Sequence, residues 1–517
     1  MTPGPQEADH RLLELLGLGL LAVFAGACTW IATVRGPGLT PDAVNYLRNA
    51  TSITNGSGIK FFPASYGPGF PYLIASGQFL GLSGGTAVRI INSLASAATI
   101  ILAFFMLARH VRTRWLVWAA TVLVALSSAL LGVNRMAWSE PVFIVLVLLL
   151  LTVLDQVSRR PRSMVWLSSV VVVLWLLFLF RFAGMCFIFA APLSILLVVR
   201  RLGWLRAFIS AVAVGLGALI VPVLWMVRNY TLTGTVLGPR PPPSAGPGEV
   251  TTRLLTTVGY WIAPSGAQQL LALLLGVGFW IAVVVCAVVI LRTPGHGNVG
   301  VMVSAIPIVT VTAVYLFYIS VSELTTGLDP IDDRLLVPVF VPLVVILASG
   351  VDRLLGFGRG GRTIGMAVVA VVGLLAIVSG LSLFQVVSVS ARDGVGYAEV
   401  KWQKSPLTAA VAKLPSAATV YSDRPSAILA ATSHDNTANV PTRKLYRSTQ
   451  EGAPVSEFVQ TVACNPDSYL AWYNANNEGN ALTPGDLAQV LTLTVVGRYP
   501  DGTLYRLSAK SYSATNC

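Results

Sequence analysis

Charge is what this chain has least of. Only 11% of its 517 residues are Asp, Glu, Lys or Arg, where a soluble protein carries about a quarter. That excludes an ordinary soluble globule. Histidine is scarcer still, with four residues: His10 near the N-terminus, His110 and His296 between apolar runs, and His434 in the tail. A histidine-rich metal site and a Ser-His-Asp triad are thereby excluded from the apolar part. There is no P-loop, no dinucleotide fingerprint, no zinc-finger spacing, no RNA-binding motif and no repeat of fixed period. Of five cysteines, Cys28, Cys186 and Cys286 lie in apolar runs and behave as small hydrophobes. Cys464 and Cys517 lie in the polar tail, and a disulfide between them is expected there.

What the chain has in abundance is long apolar sequence. Hydrophobic residues make up 55% of it, and the mean hydropathy is +0.72. Apolar runs cover residues 12–34, 86–108, 115–133, 138–154, 164–180, 182–199, 206–227, 268–291, 299–320, 334–351 and 364–386. They suit a hydrocarbon layer about 30 Å thick. The expected fold class is therefore mainly α: a polytopic membrane protein of about 11 transmembrane helices. Residues 70–82 are apolar but short, and read as an interfacial or re-entrant helix. The first run is too long, and its flank too acidic (Glu7, Asp9, Glu14), for a cleaved signal peptide.

Loop charges predict the orientation. Thirteen arginines (109, 112, 114, 159, 160, 162, 200, 201, 206, 292, 353, 359 and 362) fall in or beside one alternating set of short loops, against Asp155 and Asp352. By the positive-inside rule these loops are cytoplasmic, and the N-terminus with them. The first loop, the 228–267 loop, the 321–333 loop and the tail are then external. A net charge of +13 is mostly this topology signal and calls for no nucleic acid. The chain divides at about residue 386. Residues 1–386 form the membrane domain, whose first external loop (35–85) carries the main candidate site. Residues 387–517 alternate β-prone runs (418–421, 491–496) with helix-like ones (406–413, 454–462), which predicts a small extracytoplasmic α/β domain. The Pro-rich tract at 239–243 reads as a stiff external loop.

Ionisable residues at the external ends of the spans need a reason. Asp42 opens a short helix in the first loop: Thr40 can cap it and Pro41 suits its first position. Spacing puts Asp42, Tyr46 and Asn49 on one face. Asp42 is either a supplement to the helix dipole or a reactive carboxylate. Glu140, in Trp138-Ser139-Glu140-Pro141, is either a helix N-terminal acid or a second carboxylate facing the same cavity. Arg181 sits in a very tight turn between two apolar runs, and is either a snorkelling arginine or a ligand. Arg334 follows Asp332 and Asp333; it either pairs with one of them or offers its guanidinium fork to a phosphate. Arg228 and Arg240 flank a Gly/Pro loop and could do the same.

These residues fall into four motifs: Asp42-x-x-x-Tyr46 with Gly56 and the Pro68/Pro71 segment; Ser139-Glu140-Pro141; Trp225-x-x-Arg228-Asn229-Tyr230 with Gly234, Gly238 and Arg240; and Asp333-Arg334-Leu335-Leu336-x-Pro338. In order and placement the chain resembles the GT-C superfamily of polytopic glycosyltransferases. It is most similar to bacterial relatives of the protein O-mannosyltransferases and of the aminoarabinose transferase of lipid A. The likeness covers roughly residues 40–340.

The resemblance implies an inverting glycosyltransferase in the bacterial plasma membrane. Its donor would be a polyprenyl-phosphate sugar, and its acceptor a glycan, lipid or protein hydroxyl. Asp42 would be the general base; Tyr46, Glu140, Arg181, Arg228, Arg240, Asp333 and Arg334 would bind substrate. Many relatives carry a second acid beside the first, but residue 43 here is alanine, so no metal or other cofactor is expected. The alternative is a transporter or flippase for a lipid-linked saccharide. That would call for acids or broken helices deep within spans and an internal repeat, and the sequence has neither.

Overall fold

The computed structural model describes residues 5–238, 240, 242–243, 245–264, 266–292, 299–327, 329–356, 361–432, 434–444, 452, 454–474 and 480–510. Cys517 lies outside them, so the expected Cys464–Cys517 pair is not described, and neither are His296, Pro239 and Pro241. Cys28, Cys186 and Cys286 are free thiols.

The first part of the chain is helical throughout. The helices are α1 (Pro5–Ala32), α2 (Pro41–Thr54), α3 (Gly69–Phe79), α4 (Gly84–His110), α5 (Arg114–Ala125), α6 (Ser128–Asn134), α7 (Glu140–Arg159) and α8 (Met164–Phe180). There follow α9 (Phe187–Val199), α10 (Trp204–Thr233), α11 (Pro247–Ile262), α12 (Gln269–Arg292), α13 (Val299–Thr325), α14 (Asp333–Leu336), α15 (Phe340–Leu355) and α16 (Gly361–Asp393). Among the described residues, nine helical segments are long and apolar enough to span a membrane. A tenth span is α5 with α6, bent by 45° where Ser127 caps the second piece. The run at 164–180 is a shorter apolar helix, α8, of 17 residues, so the described residues hold nine or ten long spans where about eleven were expected. This is a multi-pass membrane protein.

Three features differ from the sequence reading. The last apolar helix continues to Asp393, past the expected end at 386. The 228–267 loop holds a helix, α11, whose one apolar face packs on α12; its polar half hid it from a search for apolar runs. The third run is broken rather than straight.

Burial ranks the helices. In α7 and in the segment from Asp333 to Leu355, 72% of the most apolar stretch is buried, against 6% in α16. Lipid tails are as apolar as leucine, so contacts between spans come from close packing and buried polar bonds. Tyr315 of α13 stacks on Phe187 of α9 at 5.6 Å and 7°. Asn92 of α4, fully buried, donates to the carbonyls of Asn134 (2.9 Å) and Met136 (2.7 Å). That fixes the end of α6 just before α7 begins.

The C-terminal part contains α17 (Val400–Gln403), α18 (Pro406–Val411), β1 (Thr419–Ser422), α19 (Pro425–Ala431), β2 (Thr437–Asn439), α20 (Val455–Cys464), β3 (Ser468–Tyr473), α21 (Pro484–Val490), β4 (Leu491–Tyr499) and β5 (Gly502–Ala509). The strands form one sheet in the order β2-β1-β3-β5-β4. β1 is parallel to β2 and β3, and β5 is antiparallel to β3 and β4. This sheet domain is tied to the first loop. Gly38 exchanges backbone hydrogen bonds with Arg135 and Ala137 (2.8 and 2.9 Å), and Leu39 does so with Val395 and Tyr397 (3.2 and 2.9 Å). Residues 38–39 are thus held between the turn before α7 and the turn after α16, immediately before Asp42.

Candidate active site

The local sequence positions Asp42 as its capping signals predict. Thr40 accepts from the Ala43 amide, and Pro41 occupies the first turn of α2. Thr40 also accepts from Trp138 Nε1 at 2.9 Å, which ties the cap to the residues entering α7. On the same face, Asn49 is consumed by structure: its Oδ1 accepts from the Lys60 and Phe61 amides, and its Nδ2 donates to the Phe61 carbonyl. The helix therefore presents Asp42 and Tyr46 to the bundle and uses Asn49 to fold the loop back over itself.

That loop returns along the end of α8. Gly67 approaches so closely that a Cβ would lie 2.4 Å from the Leu179 carbonyl oxygen. The approach delivers Tyr66, whose hydroxyl donates to Asp42 Oδ1 at 2.8 Å. Tyr66 meets Tyr46 edge-on at 5.2 Å, and Tyr46 meets Phe70 at 5.4 Å.

Four elements converge on the carboxylates. Arg334 of α14 donates from Nη1 to Asp42 Oδ2 at 2.7 Å and to Asp329 at 3.3 Å, and from Nε to Glu140 Oε1. Arg181, in the turn after α8, pairs with the same Glu140 oxygen through Nη1. Ser139 Oγ lies 3.3 Å from the other Glu140 oxygen. The Arg334 guanidinium stacks 4.7 Å from the Trp138 ring. Glu140 is wholly buried, whereas the side chains of Arg181, Arg334 and Asp42 are 14%, 11% and 26% exposed. A buried charge is costly unless paired; here Glu140 has two partners, and Arg334 has three carboxylates.

The cluster also fixes the neighbouring phenols. Burial, reinforced by the Glu140 charge, pushes Tyr46 up to about 12. Burial, then the Asp42 charge, raises Tyr66. Both phenols are neutral donors at ordinary pH. Each guanidinium has five N–H donors, and the pairs above use only some of them. The arrangement therefore offers a partly exposed carboxylate beside cations with donor capacity left for an anionic group.

The other candidates divide. The Arg240 loop reaches the same end of the bundle: Gly238 (φ 77°) sits on Ser65, where a Cβ would lie 2.6 Å from the hydroxyl. Arg240 is within electrostatic reach of Tyr318, which is itself within reach of Arg181. Arg228 is engaged elsewhere, with its guanidinium 4.3 Å from the Trp225 ring and bonded to Asn229 Oδ1. Asp333 accepts from Trp261 Nε1 at 2.7 Å, and Asp332 caps α14. The local Arg334 pair with Asp332 or Asp333 does not form; Arg334 turns instead to Asp42 and Glu140, remote in sequence, and to Asp329, five residues back. Tyr66, Trp138 and Asp329 are parts of the cluster to which sequence spacing assigned no role. Tyr66 lies 24 residues from Asp42, and no local periodicity links them. Among the described residues no group of three or more His, Cys, Asp or Glu side chains could hold a metal ion.

Neither the protein-family models nor the curated protein sequences match this chain. Solved structures do. ArnT from Cupriavidus metallidurans bound to undecaprenyl phosphate aligns with a TM-score of 0.59 and 16% identity, over 94% of this chain and 97% of that one. The Archaeoglobus fulgidus oligosaccharyltransferase, in complex with Zn and sulfate, aligns at 0.53 and 12% identity, over 95% and 73%. The mycobacterial arabinofuranosyltransferase AftD aligns at 0.52 and 16% identity, over 96% of this chain but 42% of that larger one.

The chain has the GT-C fold.

Within that fold, the buried cluster forms where the first loop meets the sheet-domain end of the bundle, and the arginine-rich loops lie at the opposite ends of the same helices.

Proposed function

We propose that this protein is an inverting glycosyltransferase of the bacterial plasma membrane, taking sugar from a polyprenyl phosphate and giving it to an extracytoplasmic hydroxyl. One observation carries the reading: a partly exposed carboxylate, Asp42, shares a guanidinium with a buried glutamate and stands beside a second arginine. A transporter of a lipid-linked sugar needs only anion binding. Transfer to an alcohol also needs a base beside the anion site.

The acceptor oxygen attacks the anomeric carbon on the face opposite the phosphate. Its proton passes to Asp42, the bond from carbon to phosphate oxygen breaks, and the electron pair leaves with the polyprenyl phosphate. Arg334 and Arg181 stabilise the charge that grows on that phosphate. Glu140 holds the two guanidiniums in place, and Tyr66 orients the base. The Arg334–Asp42 bond is the latch: an incoming phosphate competes for Arg334 and releases Asp42 Oδ2 for the acceptor. Arg240 lines the approach to the site, and Tyr46, buried against Tyr66 and Phe70, backs it. Arg228 and Asp333 act at one remove, through the Asn229 and Trp261 contacts. We assign the step no metal. The N-terminus is cytoplasmic and the sheet domain extracytoplasmic.

The test is Asp42→Asn in purified protein supplied with polyprenyl-phosphate arabinose or mannose. The expected outcome is normal folding and donor binding with transfer reduced by about 100- to 10,000-fold. Wild-type transfer rates in this variant would sink the reading.

A further inference from the structure

Phe62 is placed where a phenylalanine is hard to keep. Its φ is 49°, and no other non-glycine residue among those described has a positive φ. It also precedes Pro63, which disfavours anything but extended backbone at that position. The residue is 58% exposed rather than buried. Neither backbone preference nor core packing accounts for it, and such outliers gather at ligand clamps.

Its surroundings identify what it faces. Phe62 packs edge-on against Tyr66 at 6.4 Å, and Tyr66 holds Asp42 at 2.8 Å. The adjacent Phe61 lies under the Arg48 guanidinium at 3.6 Å, and Arg48 pairs with Asp435 of the sheet domain at 3.3 Å. Asn49 fixes the backbone of residues 60 and 61. The exposed ring therefore stands near the junction of α2 and the sheet domain, on the side where the exposed charges of Lys60 and Asp435 meet water. That side suits a water-soluble group, not a lipid tail.

We infer that Phe62 is the platform of an acceptor-sugar subsite: the apolar C–H face of a saccharide ring stacks on the phenyl ring, and Tyr66 separates that platform from the base. The inference rests on the glycosyltransferase reading and adds that the acceptor is a glycan, not a lipid or peptide hydroxyl. The aromatic side chain supplies area at little entropic cost because it is already fixed.

The experiment titrates α-1,6-linked mannotriose and α-1,5-linked arabinotriose against wild type, Phe62→Ala and Phe62→Trp, with transfer and donor hydrolysis both followed. Phe62→Ala is expected to raise the acceptor KM about tenfold, as loss of one aromatic stack would. Donor hydrolysis without acceptor should stay unchanged, and Phe62→Trp should restore the KM. An unchanged KM overturns the inference. So does a parallel fall in hydrolysis and transfer, which would mean that Phe62 only props Tyr66. Binding of the same trisaccharides to Asp42→Asn protein, read by saturation-transfer NMR, needs no turnover. Binding lost on adding Phe62→Ala supports the subsite even if the proposed chemistry fails, and no binding by either protein overturns it.

Discussion

The two ends of the helical bundle both carry arginines and carboxylates, and they use them differently. At the arginine-rich end each ion pair keeps its arginine partly in water. Glu14 meets Arg114 with side chains 31% and 52% exposed. Asp155 takes Arg109 and Arg159, which are 32% and 53% exposed. Asp352 accepts the backbone amides of Arg112 and Thr113. At the sheet-domain end, Glu140 is completely buried between two nearly buried arginines drawn from other helices. At the first end even Asp155, 4% exposed, pairs with arginines that water can solvate. The second is a network that desolvation makes expensive, so it persists only where the whole surrounding fold supports it. Expensive, mutually dependent charge is a better marker of a site than charge as such.

The comparison breaks first at Glu140. Glu140→Gln leaves two buried guanidiniums without their shared counter-ion and should destabilise the protein by about 3–5 kcal/mol. Glu14→Gln at the other end should cost under about 1 kcal/mol, since both partners are solvated. Thermal unfolding in detergent measures both, and similar melting shifts would dissolve the distinction.

Two arginines at the sheet-domain end sharpen it next. Arg334→Ala should reduce transfer by about 100-fold or more, comparable with removal of an oxyanion donor. Arg228→Ala, whose guanidinium is satisfied by Trp225 and Asn229, should change donor KM by less than about threefold, a loss of well under 1 kcal/mol. Equal losses in a polyprenyl-phosphate sugar assay would move Arg228 into the phosphate site. A smaller effect belongs to Tyr66→Phe. It removes one hydrogen bond to Asp42 and should lower kcat about fivefold, equivalent to about 1 kcal/mol, with the melting temperature nearly unchanged.

The smallest effect is alkaline. The Tyr46 phenol titrates near 12 in the fold but at about 10 when unfolded. The stabilisation from its neutral form is complete below about pH 10 and is lost as pH rises through the folded value. Tyrosinate absorbance should show a late-ionising phenol that disappears in Tyr46→Phe.

Particular residues show how far the sequence could be read. The short helix at Asp42 was legible because Thr40 and Pro41 are local signals, and the amide of Ala43 obeys them. The placement of Arg181 in a tight turn was legible from the lengths of the flanking runs. The partners of Arg334 were not. Local spacing offered Asp332 or Asp333, yet those acids cap α14 and accept from Trp261. Arg334 reaches Asp42 and Glu140 across 292 and 194 residues. Tyr66 escaped for the same reason.

The sequence by itself determined the class of the molecule and the course of most of its spans. These depend on transfer of side chains between water and hydrocarbon, a property that nearly adds along the chain. Only the tertiary structure decided which charges meet. A buried ion pair depends on helix packing, on Gly67 pressing the loop onto α8, and on the sheet domain holding residues 38–39 in place. None of these is written in any one segment.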